Sequence, residues 1–219
     1  MAFDRKMFIA KRVAKEMRDG DVVNLGIGLP QLVPRFLPEG ATVVLQGENG
    51  IVKLGPPSTP ENLDPDYFDA GVTFVTLKPG ASFYDSADAF ALVRGGHIDV
   101  TVLGALQVDE AGNLANWMVP DKLIAGYGGA MDLVTCCKKV IVAMEHSNNG
   151  TPKIFKKCAF PLTGANCVDL IVTDMAVIEV VEKGLLVTEI REGLTKEDVI
   201  KATDANLHFA DKLKIMKMD

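Results

Sequence analysis

Short runs of β-branched and aliphatic residues alternate along the chain with segments in which apolar residues recur at helical spacing. Short apolar runs are typical of strands that are buried on both faces, whereas the helical spacing indicates amphipathic helices. The pattern predicts strands at residues 21–25, 42–45, 72–77, 98–103, 139–144 and 170–173, and helices at residues 4–19 and 86–94. Because strands and helices alternate, we predict an α/β fold with an open, mostly parallel sheet and helices on both faces.

Turn and capping residues predict how the remaining elements are connected. Residues 176–181 and 185–190 form a predicted hairpin across 182–184, and Pro30 suits the first turn of a second helix. The final helix is predicted to begin after Thr195, an N-cap in a capping box with Asp198. A glycine-rich segment at residues 126–129 leads into another helix, where it is either an anion-binding loop or a tight packing turn.

Glu48 follows the predicted strand 42–45 and lies between Gly47 and the pair Asn49-Gly50. In an open α/β sheet, ligands bind at the carboxyl ends of the strands, so a carboxylate here suits a site. Asn-Gly is also a strong hairpin signal, and a glutamate beside it is usually a solvated charge. Residues 55–71, with four prolines, are predicted to be a long irregular loop that serves as a lid or rim.

Length and charge restrict the class of protein. The 219 residues suit a single domain, 1–219, with a sizeable core. The net charge of −6 argues against a nucleic-acid partner. The amino terminus lacks the apolar core of a signal peptide, and no segment approaches the roughly 20 apolar residues of a membrane span. We therefore expect a cytoplasmic protein without a membrane partner.

The cysteines and histidines indicate no metal or disulfide chemistry. The four cysteines contain no Cys-x-x-Cys pair, and two of them, Cys136 and Cys137, are adjacent, which suits a reducing compartment. The three histidines, His97, His146 and His208, lack ligand spacing. We expect neither a metal site nor a Ser-His-Asp triad.

One segment imitates a dinucleotide-binding fingerprint. Gly26 and Gly28 follow the predicted strand 21–25, and Glu48 lies 20 residues beyond Gly28, where a ribose-binding acid is expected. The third glycine of the fingerprint is replaced by Gln31, and Pro34 removes a backbone donor within the following helix. A nucleotide-dependent oxidoreductase remains one alternative hypothesis.

Three stretches together resemble the β subunit of the family I coenzyme A transferases: residues 24–30 (NLGIGLP), 48–50 (ENG) and 128–133 (GGAMDL). Residues 94–97, 103–108 and 114–117 also match that family, and the matches cover nearly the whole chain in order. The resemblance is closest to enzymes that act on acetoacetate with acetate, butyrate or succinate as the partner acid. It implies the corresponding fold and a transfer of coenzyme A between an acyl-CoA and a carboxylic acid.

The resemblance also implies roles for individual residues. Glu48 would be the nucleophile that becomes a glutamyl-CoA thioester in a ping-pong reaction, a form of covalent catalysis. Asn24 and the backbone N–H groups of Gly128 and Gly129 would stabilise the oxyanion. Asn116 and Lys122 match positions near the coenzyme. Coenzyme A is therefore expected as substrate and covalent intermediate, with no permanently bound cofactor.

The family pattern further implies a partner, because its enzymes need an α half that this sequence does not supply. We expect an α subunit, with two copies of each subunit in the complex. A noncatalytic acyl-CoA-binding subunit is the second alternative hypothesis. One departure from the pattern is Gly47, which stands where relatives often have serine before the nucleophile; this change bears on the positioning of Glu48.

Overall fold

A computed structural model describes residues 3–217. The helices are α1 (Arg5–Ala14), a 3-10 helix (Leu29–Phe36), α2 (Ser86–Arg94), α3 (Ala130–Cys136) and α4 (Lys196–Lys201). The strands are β1 (Val22–Leu25), β2 (Val44–Gly47), β3 (Ile51–Pro57), β4 (Val75–Phe83), β5 (Val100–Leu103), β6 (Gln107–Asp109), β7 (Leu114–Ala115), β8 (Met118–Val119), β9 (Leu123–Ile124), β10 (Lys139–Ala143), β11 (Ser147–Asn148), β12 (Thr151–Pro152), β13 (Ile154–Phe155), β14 (Leu170–Val172), β15 (Ala176–Val181), β16 (Gly184–Arg191) and β17 (Leu207–Met216).

One sheet organises the described part of the chain. Its ten strands lie in the order β17-β16-β15-β14-β10-β5-β1-β2-β3-β4. The five central strands, from β14 to β2, are all parallel, whereas the pairs β2-β3, β3-β4, β14-β15 and β15-β16 are antiparallel. This arrangement confirms the predicted open, mostly parallel sheet. The carboxyl ends of the central strands therefore meet at one edge.

Separate apolar cores cover the two faces of the sheet, as predicted. Helix α1 and the 3-10 helix pack on one face, and residues of α2, α3 and α4 contribute to the core on the other. The side chains of Ile9, Val13 and Met17, predicted as the apolar stripe of α1, are all buried. None of the helices in residues 3–217 is long and apolar enough to cross a membrane.

The first two helices differ from their predicted forms for identifiable reasons. Helix α1 ends at Ala14 rather than residue 19, because the N–H groups of Lys15, Glu16 and Met17 bond to carbonyl oxygens three residues back, which tightens the final turn. The second helix forms as a 3-10 helix that contains both Pro30 and Pro34. Neither proline can donate the backbone bond of an α-helix.

Several strands also differ from prediction. The predicted loop 55–71 begins later, because β3 extends to Pro57 and pairs with β4, and the loop runs over residues 58–74. Strand β4 begins at Val75 rather than at residue 72 and continues across Pro79-Gly80 to Phe83. The edge strand β17 was not predicted, because its alternating charged residues weaken the apolar signal. The hairpin β15-β16 and the capping box of Thr195 and Asp198 are confirmed.

Candidate active site

The carboxyl ends of β1 and β2 bring Asn24 and Glu48 together. The two strands are parallel neighbours, with Asn24 aligned to Gln46. Glu48 follows β2 directly, in the turn that connects it to antiparallel β3. The interpretation as a hairpin turn and the interpretation as a site carboxylate are therefore compatible. The turn places Glu48 at the carboxyl edge of the parallel strands, where ligands bind in open α/β sheets.

Glycine is required at one position of this turn. Gly50 has φ +109°, and its N–H donates to the carbonyl of Gly47 at 3.0 Å. A Cβ at Gly50 would collide with the backbone carbonyl of Tyr84, whose own N–H donates to Gly50. The tight pairing of this turn against the end of β4 fixes the direction in which Glu48 leaves the sheet.

The side chain of Asn24 lies at the centre of the site and is fully buried. Its Nδ2 donates to Glu48 Oε2 at 3.0 Å, to Gln46 Oε1 at 2.9 Å and to the Gln46 carbonyl at 3.2 Å. Glu48 itself is half-buried. A buried, neutral N–H donor thus contacts the carboxylate of Glu48.

The glycine pair before α3 brings Gly129 next to Glu48. Gly129 is buried, and a Cβ there would lie 2.8 Å from the ring of Phe90 and 3.4 Å from Glu48 Cγ. Gly128 is exposed with φ +48°. Within residues 3–217, the N–H groups of Gly128 and Gly129 have no protein acceptor. Gly129 thereby allows close approach to Glu48, and two backbone donors remain available for a ligand.

Asn116 and Lys122 lie outside the group formed by Asn24, Gln46, Glu48 and Gly129, which we call the Glu48 cluster. The Asn116 amide is engaged within the protein: Nδ2 donates to the Gly104 carbonyl at 3.3 Å, and Oδ1 accepts from the Thr163 hydroxyl at 2.6 Å. Contact of Asn116 with the coenzyme stays a prediction, and this geometry gives it an alternative, structural use.

Lys122 is exposed and lines a groove of about 690 Å³. Lys6 and Lys153 line the same groove, which borders the carboxyl ends of β5 and β10. Glu145 also lines the groove, so three lysines and one glutamate leave an excess of positive charge that suits a negatively charged ligand. The predicted role of Lys122 near a coenzyme is compatible with this position.

In the segment that imitates a dinucleotide-binding fingerprint, the Gly28 N–H and the Gln31 side chain form hydrogen bonds within the protein. Gln31 Oε1 accepts from the Gly28 N–H at 2.7 Å, and Gln31 Nε2 donates to Asp69 at 2.6 Å. In a dinucleotide-binding turn, backbone N–H groups of this kind face the pyrophosphate. The residue that replaces the third glycine thus fills the place where the phosphate would bind, which argues against the oxidoreductase hypothesis.

Burial makes three of the four cysteines and one histidine poor candidates for a nucleophile. All four cysteines are free thiols, and burial raises the pKa of Cys137 and Cys158 to about 12 and that of Cys167 to about 11. Burial lowers the pKa of His146 to about 4. Within residues 3–217, no group of three or more His, Cys, Asp or Glu side chains is arranged to hold a metal ion.

Gln46 is the member of the cluster that sequence reasoning missed. Its side chain is buried and accepts a hydrogen bond from Asn24, two residues before Glu48 in the chain. A signal was present, because a long polar residue interrupts an otherwise apolar strand. Its register with Asn24 depends on the pairing of β1 with β2, which is a tertiary property.

Comparison with known proteins gives a consistent result. Residues 6–202 match the family model described as Coenzyme A transferase. The chain is similar to the acetate CoA-transferase subunit beta of Escherichia coli strain K12, with 49% identity over 217 residues that cover 99% of each chain. It is also 46% identical to the human mitochondrial succinyl-CoA:3-ketoacid coenzyme A transferase 2, over 98% of this chain and 42% of that protein.

The fold has a counterpart among solved structures. The acyl-CoA transferase YdiF apoenzyme from Escherichia coli O157:H7 superposes with a TM-score of 0.79 at 23% identity. The match covers 100% of this chain and 44% of that one. The chain therefore spans a whole bacterial β subunit but less than half of these longer relatives.

Proposed function

Because the chain belongs to the coenzyme A transferase family, we propose that it is the β subunit of an enzyme that exchanges coenzyme A between acetoacetate and a second short-chain acid. Acetate, butyrate and succinate are the candidate acids. The similarity to a bacterial subunit beta and to a human enzyme named for succinyl-CoA and 3-ketoacid supports this class of substrates. The proposed enzyme acts in the cytoplasm.

Glu48 is the proposed nucleophile. Its carboxylate attacks the thioester carbonyl of the acyl-CoA, and the tetrahedral intermediate expels the CoA thiolate to leave a mixed anhydride. The thiolate then attacks the glutamyl carbonyl, which releases the first carboxylic acid as its carboxylate and leaves a glutamyl-CoA thioester. A second carboxylate repeats these steps in reverse and leaves as the new acyl-CoA. Each step exchanges one acyl bond for another, so no oxidant or reductant is needed.

The proposed oxyanion donors are Asn24 Nδ2 and the N–H groups of Gly128 and Gly129. Each tetrahedral intermediate carries a negative oxygen, and preorganised donors that face it lower the barrier. The observation that carries the proposal is the contact of Asn24 Nδ2 with Glu48 Oε2 at 3.0 Å, together with the position of Gly129, where a Cβ would lie 3.4 Å from Glu48 Cγ. Both types of donor thus border the carboxylate that would react.

The α subunit is the proposed partner, in a complex with two copies of each chain. The human relative is more than twice as long as the matched segment, which is compatible with two halves joined in one protein. In the proposed enzyme the other half completes the acyl and coenzyme pockets. The isolated chain is accordingly expected to be inactive, and mixing it with its α subunit should produce acetoacetate-dependent transfer.

Trapping the thioester tests the nucleophile directly. The reconstituted complex is incubated with acetoacetyl-CoA in the absence of a second acid, and the mass of each chain is measured intact. We expect this chain to gain the mass of coenzyme A less one water, and peptide mapping to locate the adduct at Glu48. An adduct on the α subunit would transfer the nucleophile to that chain, and binding of acyl-CoA without adduct or turnover would favour the noncatalytic hypothesis.

A further inference from the structure

The amide nitrogen of Asn24 has more acceptors than hydrogens. Three oxygens lie within hydrogen-bond distance of Nδ2, namely Glu48 Oε2 at 3.0 Å, Gln46 Oε1 at 2.9 Å and the Gln46 carbonyl at 3.2 Å. An amide NH2 group carries two hydrogens in one plane. Gln46 supplies two of the three acceptors, its side-chain oxygen and its carbonyl oxygen. When the Gln46 oxygens take one hydrogen of the Asn24 amide, the other hydrogen faces Glu48.

Strand register explains why these two amides meet. Asn24 on β1 aligns with Gln46 on β2 and with Thr101 on β5, so the three side chains lie on one face of the sheet. All three are buried, with exposed fractions of 0% for Asn24 and Thr101 and 2% for Gln46. The contact is thus set by the pairing of parallel strands and is shielded from water.

We propose that Gln46 is a positioning residue for the transferase reaction and acts through Asn24; this inference rests on the proposed function. Its Oε1 holds one hydrogen of the Asn24 amide and thereby directs the other hydrogen toward Glu48 and the oxyanion that forms beside it. Without that acceptor, the amide is held only by Glu48 itself and by the Gln46 carbonyl at 3.2 Å, a bond that side-chain variants keep. The plane of the amide can then turn, so that its hydrogen is no longer aimed at the oxyanion beside Glu48.

Asn24 Oδ1 and Gln46 Nε2 are buried without a hydrogen-bond partner, and so is the Thr101 hydroxyl on the same face. Lack of a partner is thus shared by the whole buried layer and does not distinguish Gln46. The positioning role rests instead on the bond from Asn24 Nδ2 to Gln46 Oε1 beside the bond from the same nitrogen to Glu48.

Substitutions that remove the acceptor test this role in the reconstituted complex. Gln46→Met preserves length and replaces the amide by an apolar thioether, and Gln46→Leu is the second variant should methionine impair folding. We expect kcat for acetoacetyl-CoA to fall by roughly 10- to 100-fold with little change in KM, because misdirection of a donor by about an ångström can cost on the order of 100-fold. Thr101→Val is the matched control, since it alters a buried polar residue on the same face and should leave kcat unchanged.

A double-mutant cycle separates positioning from a structural role. If Gln46 acts through Asn24, then Gln46→Met will have little further effect on kcat in an Asn24→Ala background. Full multiplication of the two losses, or a normal kcat in both Gln46 variants, would overturn the inference. The thioester trap on the wild type distinguishes failure of this inference from failure of the proposed function. If an adduct forms at Glu48 but the Gln46 variants have normal kcat, only the positioning role is refuted. If no adduct forms at Glu48, both proposals are refuted.

Discussion

Two polar clusters lie at the carboxyl edge of the same sheet but are built in opposite ways. The Glu48 cluster lies at the ends of β1 and β2, and the second lies beyond the ends of β10 and β14. The second consists of His146, Thr173, Asp174 and Thr203, and we call it the His146 cluster. Each ring nitrogen of His146 forms a hydrogen bond of 2.9 Å with a threonine hydroxyl, Nδ1 with Thr173 and Nε2 with Thr203. The backbone N–H of His146 donates to Asp174 at 2.8 Å.

The clusters differ in whether their polar atoms have hydrogen-bond partners. In the His146 cluster both ring nitrogens are paired, and the residue is only 1% exposed. In the Glu48 cluster the carboxylate is half-buried, and two buried amide atoms lack partners. A fully paired polar cluster lowers the free energy of the fold, whereas unpaired buried atoms cost stability. We therefore expect the His146 cluster to stabilise the fold and propose that the chemistry takes place at the half-buried Glu48.

Removal of the Glu48 carboxylate is expected to have the largest effect. Glu48→Gln preserves the shape of the side chain but removes the nucleophile, so kcat of the reconstituted complex should fall by on the order of 10⁶-fold, as for the nucleophile of a serine protease. Glu48→Asp should lose roughly 100-fold, because the shorter side chain withdraws the oxygen by about an ångström. Steady-state transfer from acetoacetyl-CoA measures both.

Glu182→Gln is the matched control for Glu48, because Glu182 is an exposed glutamate in the turn of the β15-β16 hairpin. It should retain full activity. The thermal unfolding midpoints of all three variants should stay near that of the wild type, since neither turn carboxylate is part of an ion pair within residues 3–217. Near-normal turnover in Glu48→Gln would remove the cluster from catalysis.

Asn24→Ala should produce the next largest effect. Loss of one oxyanion donor typically costs about 10²- to 10³-fold in kcat, and we expect KM to change little because the donor acts mainly in the transition state. The control is Thr101→Val, whose hydroxyl is also buried without a partner. Because that hydroxyl is unpaired, its removal should leave activity intact and should not destabilise the fold. A rise in KM alone in Asn24→Ala would identify a binding residue instead.

The sequence could predict features whose signals are local. The apolar runs indicate the central parallel strands, the glycine stop after Arg94 marks the end of α2, and the capping box at Thr195 marks the start of α4. The placement of Glu48 and Asn24 in one site followed from the family resemblance alone, and the pairing of β1 with β2 explains it. These features depend on residues that are close in the chain or on a motif that is characteristic of a known enzyme family.

The features that could not be predicted depend on tertiary pairing. Strand β3 contains Gly55, Pro56 and Pro57, residues that favour a loop, and it becomes a strand through its pairing with β2 and β4. The contact of Gln46 with Asn24 requires the β1-β2 register. The full pairing of His146 requires Thr203, which lies 57 residues away in the chain. No local pattern carries that information.

His146 provides a test of the stability role, through the dependence of unfolding on pH. Burial lowers the pKa of His146 from 6.5 to about 4 in the folded state. Between these values the unfolded chain binds a proton that the folded chain does not, so the free energy of unfolding falls as pH falls through this window. We expect this residue to contribute about 2 kcal/mol of lost stability at pH 5 relative to pH 7.5.

His146→Gln isolates that contribution, because the other titrating groups are shared with the wild type. Urea unfolding at pH 5 and pH 7.5 should show a smaller pH-dependent loss in the variant than in the wild type, by about 2 kcal/mol. At pH 7.5 the variant complex should retain transfer activity within about threefold, since His146 has no contact with the Glu48 cluster in the described structure. An activity loss comparable to that of Asn24→Ala would contradict the division between the two clusters.

The smallest effect is expected at Gly47, the residue that departs from the family pattern. A Cβ at this position would lie 2.5 Å from Asn49 Oδ1 and 3.3 Å from Leu54 Cδ1. Asn49 is exposed, and its Nδ2 donates to the Phe68 carbonyl at 2.7 Å, which ties the Glu48 turn to the loop 58–74. Gly47→Ser should therefore displace the Asn49 side chain and release this tie.

Glu48 itself should keep its place in Gly47→Ser, because Gly47 does not have the positive φ that would strain a serine, and the β2-β3 pairing is unchanged. We expect kcat within about threefold of the wild type and faster proteolysis in the loop 58–74, since one exposed hydrogen bond contributes only about 1 kcal/mol. Asn49→Ala is the matched variant: it removes the same bond without an added side chain at position 47 and should expose the loop to the same degree. If Gly47→Ser alone lost activity to the extent of Glu48→Asp, the glycine would be needed to position the nucleophile, and the departure from the family would be a functional one.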